Sequence, residues 1–221
     1  MSKTVTIIDY GVGNLLSVTR AFEHCGATVM LAHEAAEIEQ AERLVLPGVG
    51  AFADGMQGLR ERELIDPIRR FAATGRPLMG ICLGMQMLAS SSEEFGEHEG
   101  LNLIPGRVRP IPRVAVDGSP LKTPHIGWSS LQRPDAAEWS GTILADTVPE
   151  SAVYLVHSFA VELADPADLL SYCVHGGHRI SAVIRRDAVY GCQFHPEKSG
   201  PAGLRIVNGF LAKGGLDRTR S

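Results

Sequence analysis

The sequence predicts an α/β fold: a single doubly wound mixed sheet flanked by helices, with an added antiparallel β region. Three observations predict it. Apolar β-branched runs alternate with amphipathic stretches through the first half of the chain, as βα units require. The second half is richer in short extended runs, with Gly176-Gly177 marking a hairpin between residues 169–175 and 180–186. An apolar helical stretch then closes the chain at 201–212. With 221 residues, 44% of them hydrophobic, the chain can bury a full core and still form one domain. That domain is expected over residues 1–213, followed by a polar C-terminal tail at 214–221.

Residues 4–9 (T-V-T-I-I-D) read as the first strand, and Tyr10-Gly-Val-Gly-Asn14 as the turn into a helix over 15–24. Gly11 and Gly13 suggest a dinucleotide loop, but the third glycine of G-x-G-x-x-G would be residue 16, which is Leu16. Gly26 closes that helix, a second strand follows at 28–32, and a short acidic helix at 34–42. Residues 43–47 form a third strand that runs into Gly48-Val49-Gly50. Two glycines after a strand make either a plain βα turn or a set of free backbone N–H groups facing an anion. A helix is predicted over 56–73, with Leu59, Leu64, Ile65, Ile68 and Phe71 as its buried stripe.

Residues 77–81 are an apolar strand behind a Gly75/Pro77 breaker, and Leu83, Gln86, Met87 and Leu88 then fall at helical spacing. Cys82 occupies the corner, with Gly80 and Gly84 two positions away on either side. Small neighbours of this kind permit a sharp turn that lifts the central side chain out of a sheet. A helix start also presents unpaired N–H groups and the positive dipole end, which favour a thiolate. An isolated free cysteine is more often a buried core residue. The flanking glycines turn the reading toward a nucleophile.

Beyond the elbow, residues 91–100 are polar and acidic and read as a surface excursion. Residues 108–116 alternate around prolines and read as extended edge structure. In Pro124-His-Ile-Gly-Trp128, Trp128 is either core or an interaction residue. Residues 134–141 form a loop, and 152–159 a strand that places His157 and Ser158 at its end. Asp187-Ala188 turns the chain into a last strand at 189–194, which ends at His195-Pro196-Glu197.

A thiol at an elbow needs a base to deprotonate it and to protonate the leaving group. Of eight histidines, His195 is the best placed, with Glu197 two residues on. In an extended segment these side chains share a face, although Pro196 bends the chain. Alone, His195 is an ordinary core or loop histidine and Glu197 a surface charge. Together with Cys82 they form a credible triad in which Glu197 fixes the imidazole tautomer. The oxyanion donors would be the N–H of Leu83 and one from the Gly48-Val49-Gly50 turn.

No metal is expected: His157 and His195 show neither H-x-x-x-H nor H-E-x-x-H spacing. The net charge of −4, without long runs of one sign, gives no electrostatic reason to expect nucleic acid or an acidic membrane surface. No apolar segment approaches bilayer-spanning length. Cysteines at 25, 82, 173 and 192 form no C-x-x-C pair. A reducing, cytoplasmic setting is the expectation.

Three separated motifs, Gly80-Ile-Cys-Leu-Gly-Met-Gln86, Phe194-His-Pro-Glu-Lys-Ser199 and Pro47-Gly-Val-Gly-Ala-Phe52, together resemble the class I (triad) glutamine amidotransferases. Within that class, Asp9-Tyr-Gly-Val-Gly-Asn-Leu15, the P-G-V-G turn, Pro124-His-Ile-Gly-Trp128 and His157-Ser158 are similar to the glutaminase subunits of imidazole glycerol phosphate synthases, from histidine biosynthesis. The resemblance runs from the first strand to the last helix. It implies glutamine hydrolysis through a Cys82 thioester, with His195 shuttling the proton and Glu197 orienting it. No cofactor is implied. Ammonia would pass to a (β/α)8 barrel synthase subunit in a heterodimer.

The resemblance also implies that Gly48, Gly50, Gln86, His157, Ser158 and Phe159 bind glutamine. Val49, Gly50 and Leu83 would supply the backbone around the oxyanion, and Gly11, Gly13, Asn14, Trp128 and Lys198 would face the partner. Two positions depart from the commonest pattern: Ser129 stands where G-W-N is usual, and Phe159 where tyrosine is often seen. The rival readings are a paralogous glutaminase feeding another synthase, for example in surface-sugar biosynthesis, a cysteine peptidase or γ-glutamyl hydrolase, and a non-catalytic binding subunit. Gln86 and the P-G-V-G turn argue against the peptidase, and the intact triad against the binding subunit.

Overall fold

The computed structural model describes residues 3–213, so the expected tail at 214–221 lies outside the described residues. In chain order the first half comprises β1 (Thr4–Ile8), α1 (Leu15–His24), β2 (Thr28–Ala32), α2 (Ala35–Gln40), β3 (Leu44–Leu46), α3 (Phe52–Glu61), α4 (Ile65–Ala73), β4 (Leu78–Ile81) and α5 (Leu83–Met87). The second half adds β5 (Ser91–Ser92), β6 (His98–Glu99), β7 (Gly106–Pro110), β8 (His125–Ser130), β9 (Ala152–His157), β10 (Phe159–Leu163), β11 (Leu169–His175), β12 (His178–Arg186), β13 (Val189–Cys192) and α6 (Gly200–Leu211).

Seven strands form the main sheet in the order β11-β12-β13-β4-β3-β1-β2. Its parallel members are β2, β1, β3, β4 and β13, while β12 pairs antiparallel with β13 and with β11. Helices cover both faces. Val5 and Ile7 of β1 point into a core shared with Val18, Phe22, Ile206 and Phe210 of α1 and α6. Ile8, Leu44 and Leu46 face Phe52, Leu59, Ile68 and Phe71 of α3 and α4 on the other side. This is the expected doubly wound arrangement, and it leaves a crevice at the carboxyl ends of the parallel strands.

Local chemistry explains the element ends. The Asn14 side chain accepts from the Ser17 N–H at 3.3 Å and caps α1. Glu34 and Glu37 form a reciprocal capping box on α2. Gly176 and Gly177 both take positive φ, +56° and +82°, and close the β11–β12 hairpin in the register His175↔His178.

Three expectations need correction. The helix predicted over 56–73 is two helices, α3 and α4, separated at Glu63 with φ +56°. Pro67 explains the break. Within a continuous helix its ring would clash with the Glu63 carbonyl, whereas in the first turn of α4 its missing N–H costs nothing. Residues 91–100 are a surface excursion only in part: Phe95, Gly96, Glu97 and Glu99 are exposed. The same stretch supplies β5 and β6 to a second sheet of order β10-β7-β5-β6, and Glu94 is buried. The segment predicted as an edge is β7, an interior strand paired to β10 on one side and β5 on the other. The 134–141 loop buries Trp139, whose indole N–H donates to the Leu170 carbonyl at 2.7 Å. Finally, β8 and β9 form a separate antiparallel ribbon, and on it Trp128 is 59% exposed, which excludes the core reading.

Candidate active site

Three adjacent strands of the main sheet, β13, β4 and β3, end side by side, and each delivers part of the site. At the end of β4, Cys82 adopts φ +54°, ψ −110°, a region that L-residues enter only under constraint. The glycines on either side make it possible. A Cβ on Gly80 would stand 2.6 Å from the Gly84 backbone, and one on Gly84 would collide with the Leu46 carbonyl oxygen. The turn therefore presses directly onto β3, and the Cys82 thiol sits at the start of α5.

At the end of β13 the chain passes through Gln193 and Phe194 to His195, and a single 3₁₀ turn at Pro196–Lys198 folds Glu197 back. The outcome is a His195 Nδ1···Glu197 Oε1 contact of 2.8 Å, with side chains only 4% and 2% exposed. Burial alone would discharge His195, but hydrogen bonds to Cys82 and Glu197, and their charges, outweigh it and raise its pKa to about 9. Nδ1 is engaged by Glu197, so Nε2 is the nitrogen left for the sulfur. An imidazolium held beside a thiol favours the thiolate. The second carboxylate oxygen of Glu197 is buried without a hydrogen-bond partner among the described residues.

Backbone contacts hold this segment in place. The Ser199 hydroxyl donates to the His195 carbonyl at 2.7 Å and accepts from the Tyr154 N–H at 3.0 Å. The His195 N–H in turn donates to the Tyr154 carbonyl at 3.1 Å. The β8–β9 ribbon is thereby fixed to the segment that carries His195 and Glu197.

A cavity of about 270 Å³ opens at the thiol. Its walls include Val49, Gly50, Cys82, Leu83, Gln86, His157, Ser158, Phe159 and His195, so the structure brings together every expected pocket residue except Gly48. Gly48 lies beneath the wall. A Cβ there would stand 2.6 Å from the Tyr10 hydroxyl and 3.0 Å from Leu83, so its role is to let the turn approach α5. Gly50 has φ +100° with open space around a Cβ, so its constraint is the backbone conformation itself.

Sequence reasoning missed three lining residues: Glu94, Pro124 and Val156. Glu94 is the informative one. One of its oxygens accepts from the Phe52 N–H at 2.7 Å, and it places a carboxylate in the wall of a pocket that otherwise lacks acidic groups. The acidic run at 93–94 is the available signal, although a carboxylate in such a run is usually solvated. A larger cavity of about 720 Å³ lies between the start of α2 and helices α3 and α4. It contains none of the expected catalytic residues, and its charges are of both signs.

The residues expected to face a partner lie on three segments. Gly11, Gly13 and Asn14 follow β1, beside the Gly48 turn, and Lys198 is exposed directly after Glu197. Trp128 packs edge-on against Tyr154 at 5.9 Å, and Leu16 and Ile126 are also largely exposed. Among the described residues no cluster of three or more metal-ligating side chains occurs, and no helix is long and apolar enough to cross a membrane.

Comparison with known proteins shows the family. The family model described as glutamine amidotransferase class-I matches residues 6–213. A Legionella pneumophila (strain Paris) protein named imidazole glycerol phosphate synthase subunit HisH 1 is 53% identical over 209 residues, 94% of this chain and 98% of that one. The HisH subunit of Syntrophotalea carbinolica is 44% identical over 93% of this chain and 98% of its own. Among solved structures, a chain of PurLQS from Thermotoga maritima superposes with a TM-score of 0.71 at 18% identity, covering 96% of this chain and 98% of that one. A putative GMP synthase subunit from Thermoplasma acidophilum gives 0.66 at 17%, covering 94% and 92%. These two likenesses speak for the fold.

Proposed function

The chain belongs to the class I glutamine amidotransferases, among the HisH subunits of imidazole glycerol phosphate synthase, and on that premise we propose how its residues hydrolyse glutamine. The observation that carries the proposal is the Cys82 elbow facing the buried His195–Glu197 pair at one end of a cavity of about 270 Å³. Cys82 attacks the side-chain amide carbon of glutamine as the thiolate. The developing oxyanion is met by the N–H of Leu83, unpaired at the helix start, and by a backbone N–H of the Val49-Gly50 turn. His195 gives its proton to the leaving nitrogen, so ammonia departs and a glutamyl thioester remains. His195 then takes a proton from water, which attacks the thioester and releases glutamate. Glu197 holds the ring in place throughout.

Gln86, His157, Ser158 and Phe159 shape the pocket, and the Glu94 carboxylate complements the substrate's α-ammonium group. The proposal extends to the partner, a (β/α)8 barrel subunit seated on the rim formed by Gly11, Gly13, Asn14, Trp128 and Lys198, and to a cytoplasmic location, where the free thiols Cys25, Cys82, Cys173 and Cys192 stay reduced. Because Lys198 directly follows Glu197 and is exposed, a contact there would report occupancy to the catalytic pair.

The test is glutamate release from glutamine by this protein alone, then with the histidine-pathway barrel subunit and its ribonucleotide ligand, with Cys82→Ala as control. Strong stimulation that disappears in Cys82→Ala is expected. Activity indifferent to the barrel would move the glutaminase to another synthase. Lys198→Ala should lower stimulation or complex formation, and no change in either would remove the coupling role.

A further inference from the structure

A buried polar chain connects the β8 ribbon to the sulfur of Cys82. The His125 ring Nε2 lies 3.1 Å from the Ser129 hydroxyl, and its Nδ1 lies 3.2 Å from His157 Nε2. His157 Nδ1 is 2.8 Å from the carbonyl oxygen of Phe159. That oxygen also receives the Gln86 side-chain amide at 3.0 Å. The same Gln86 nitrogen donates to Gln193 Oε1 at 3.1 Å, and Gln193 Nε2 reaches Cys82 Sγ at 3.9 Å.

The donors and acceptors in this chain are determined. A carbonyl only accepts, so His157 Nδ1 must carry a hydrogen. Burial favours the neutral ring, so its Nε2 has a lone pair and must accept, which requires the hydrogen of His125 to be on Nδ1. His125 Nε2 is then the acceptor for the Ser129 hydroxyl. Gln86 spends both amide hydrogens inside the protein, leaving its oxygen as the polar atom for the cavity it lines. His125 itself does not line the cavity. It stacks on His175 with ring centroids 4.1 Å apart.

We propose that His125 is a positioning residue of the glutamine site: by donating to His157 Nε2 it holds the orientation of the His157 ring, and with it the Phe159 carbonyl and the Gln86 amide, and so the acceptor that Gln86 presents to substrate. The inference deepens the glutaminase reading and rests on it for its kinetic consequence, though not for the hydrogen bond itself. Without the His125 donor, His157 Nε2 is left buried and unpaired. The hydrogen stays on Nδ1, where the Phe159 carbonyl binds it, but the ring is no longer held from its far side, and turning to find a partner for Nε2 loosens its hold on that carbonyl.

Two substitutions separate positioning from packing. His125→Asn places an amide nitrogen where Nδ1 was and keeps the donor, but loses the ring. His125→Phe keeps the ring and its stacking on His175, but loses the donor. In glutamate release by the complex with the barrel subunit, His125→Phe should raise the KM for glutamine about tenfold, the effect of one lost buried hydrogen bond. His125→Asn should stay within about twofold of the parent. Equal impairment in both, greater impairment in the Asn variant, or an unaffected Phe variant would overturn the proposal.

A second readout needs no activity. Nitrogen NMR should show the His157 Nε2 lone pair hydrogen-bonded in the parent and in His125→Asn, and its resonance shifted to that of an unbonded ring nitrogen in His125→Phe. An unchanged Nε2 resonance in His125→Phe would overturn the inference even if the parent hydrolysed no glutamine, which would itself count against the glutaminase reading alone.

Discussion

The backbone N–H of Cys82 donates to the carbonyl of Cys192 at 2.7 Å, so the amide of the residue that bears the thiol is tied to the strand that delivers His195. The parallel register Ile81↔Cys192 between β4 and β13 leads directly to it. The separation of thiol and imidazole is therefore set by the sheet ladder, and side chains only refine it.

Replacing Glu197 should thus spare the fold and damage the chemistry. Glu197→Gln keeps volume and burial but presents either a neutral acceptor or a donor to Nδ1. We expect kcat for glutamate release to fall on the order of 10²–10⁴-fold, with the circular dichroism spectrum unchanged. A fall in activity matched by loss of structure in circular dichroism would assign Glu197 a structural role instead.

Gly84 should tolerate no side chain. A Cβ there meets the Leu46 carbonyl, a backbone atom of a fully buried strand, so β3 or α5 must shift. Gly84→Ala should destabilise by about 1–3 kcal/mol or more, read as a lowered urea midpoint, and should also lower kcat because the elbow moves. An unaltered midpoint would show that the turn is looser than its geometry.

The alkaline limb of activity should report His195. Its pKa is raised from the usual 6.5 to about 9, so the imidazolium is the favoured form across neutral pH. Its contribution to stability is complete below pH 6.5 and is lost as pH rises through about 9. Glutamate release should decline through the same region, as the proton for the leaving nitrogen is lost. In Glu197→Gln the limb should move to lower pH, because one of the raising interactions is gone. A limb that ignores this substitution would detach it from His195.

Acid should act through His157. Burial, chiefly, lowers its pKa to about 4, against the opposing hydrogen bond to Phe159, and positive charge on His125 or His175 would lower it further. The unfolded chain binds a proton at His157 near pH 6.5 while the folded one does not, so stability is intact above 6.5 and falls as pH drops toward 4. The urea midpoint should decline over this window. It should decline less in His157→Asn, which keeps a donor to the Phe159 carbonyl but does not titrate.

Trp128 is the one large aromatic exposed on the β8 ribbon, and it borders Tyr154, whose backbone holds His195. Exposed, rigid aromatics are frequent binding anchors. Trp128→Ala should weaken association with the barrel subunit by about 2 kcal/mol or more in titration calorimetry, leaving the Cys82-dependent activity of the free subunit unaltered. Unchanged affinity would place the partner elsewhere.

The grouping of Cys82, His195 and Glu197 was legible in the sequence because each part is local: a thiol between two glycines, and a histidine and a carboxylate two residues apart at a strand end. The doubly wound half was legible for the same reason, since β1 to β4 each announce themselves by an apolar run. What escaped was set through space. His125 and His157 are residues of different strands that meet only when β8 and β9 pair, and Gln193 matters only because Gln86 lies beside it. Glu94 looked like surface because a carboxylate in an acidic run usually is. The split between α3 and α4 was the exception, since Pro67 was a sufficient local signal that the apolar stripe obscured.

The place of β13 has a consequence for how the protein is born. It is the last strand in the chain, yet it lies inside the sheet, between β4 and β12. Pairings of such high sequence separation form late, after the cost of closing long loops has been met. A nascent chain that has already folded β1 to β4 around the Cys82 elbow carries a thiol with no base beside it. The sulfur acquires its imidazole only when β13 slots into the gap, so the reactive pair comes into being in the same event that completes the main sheet.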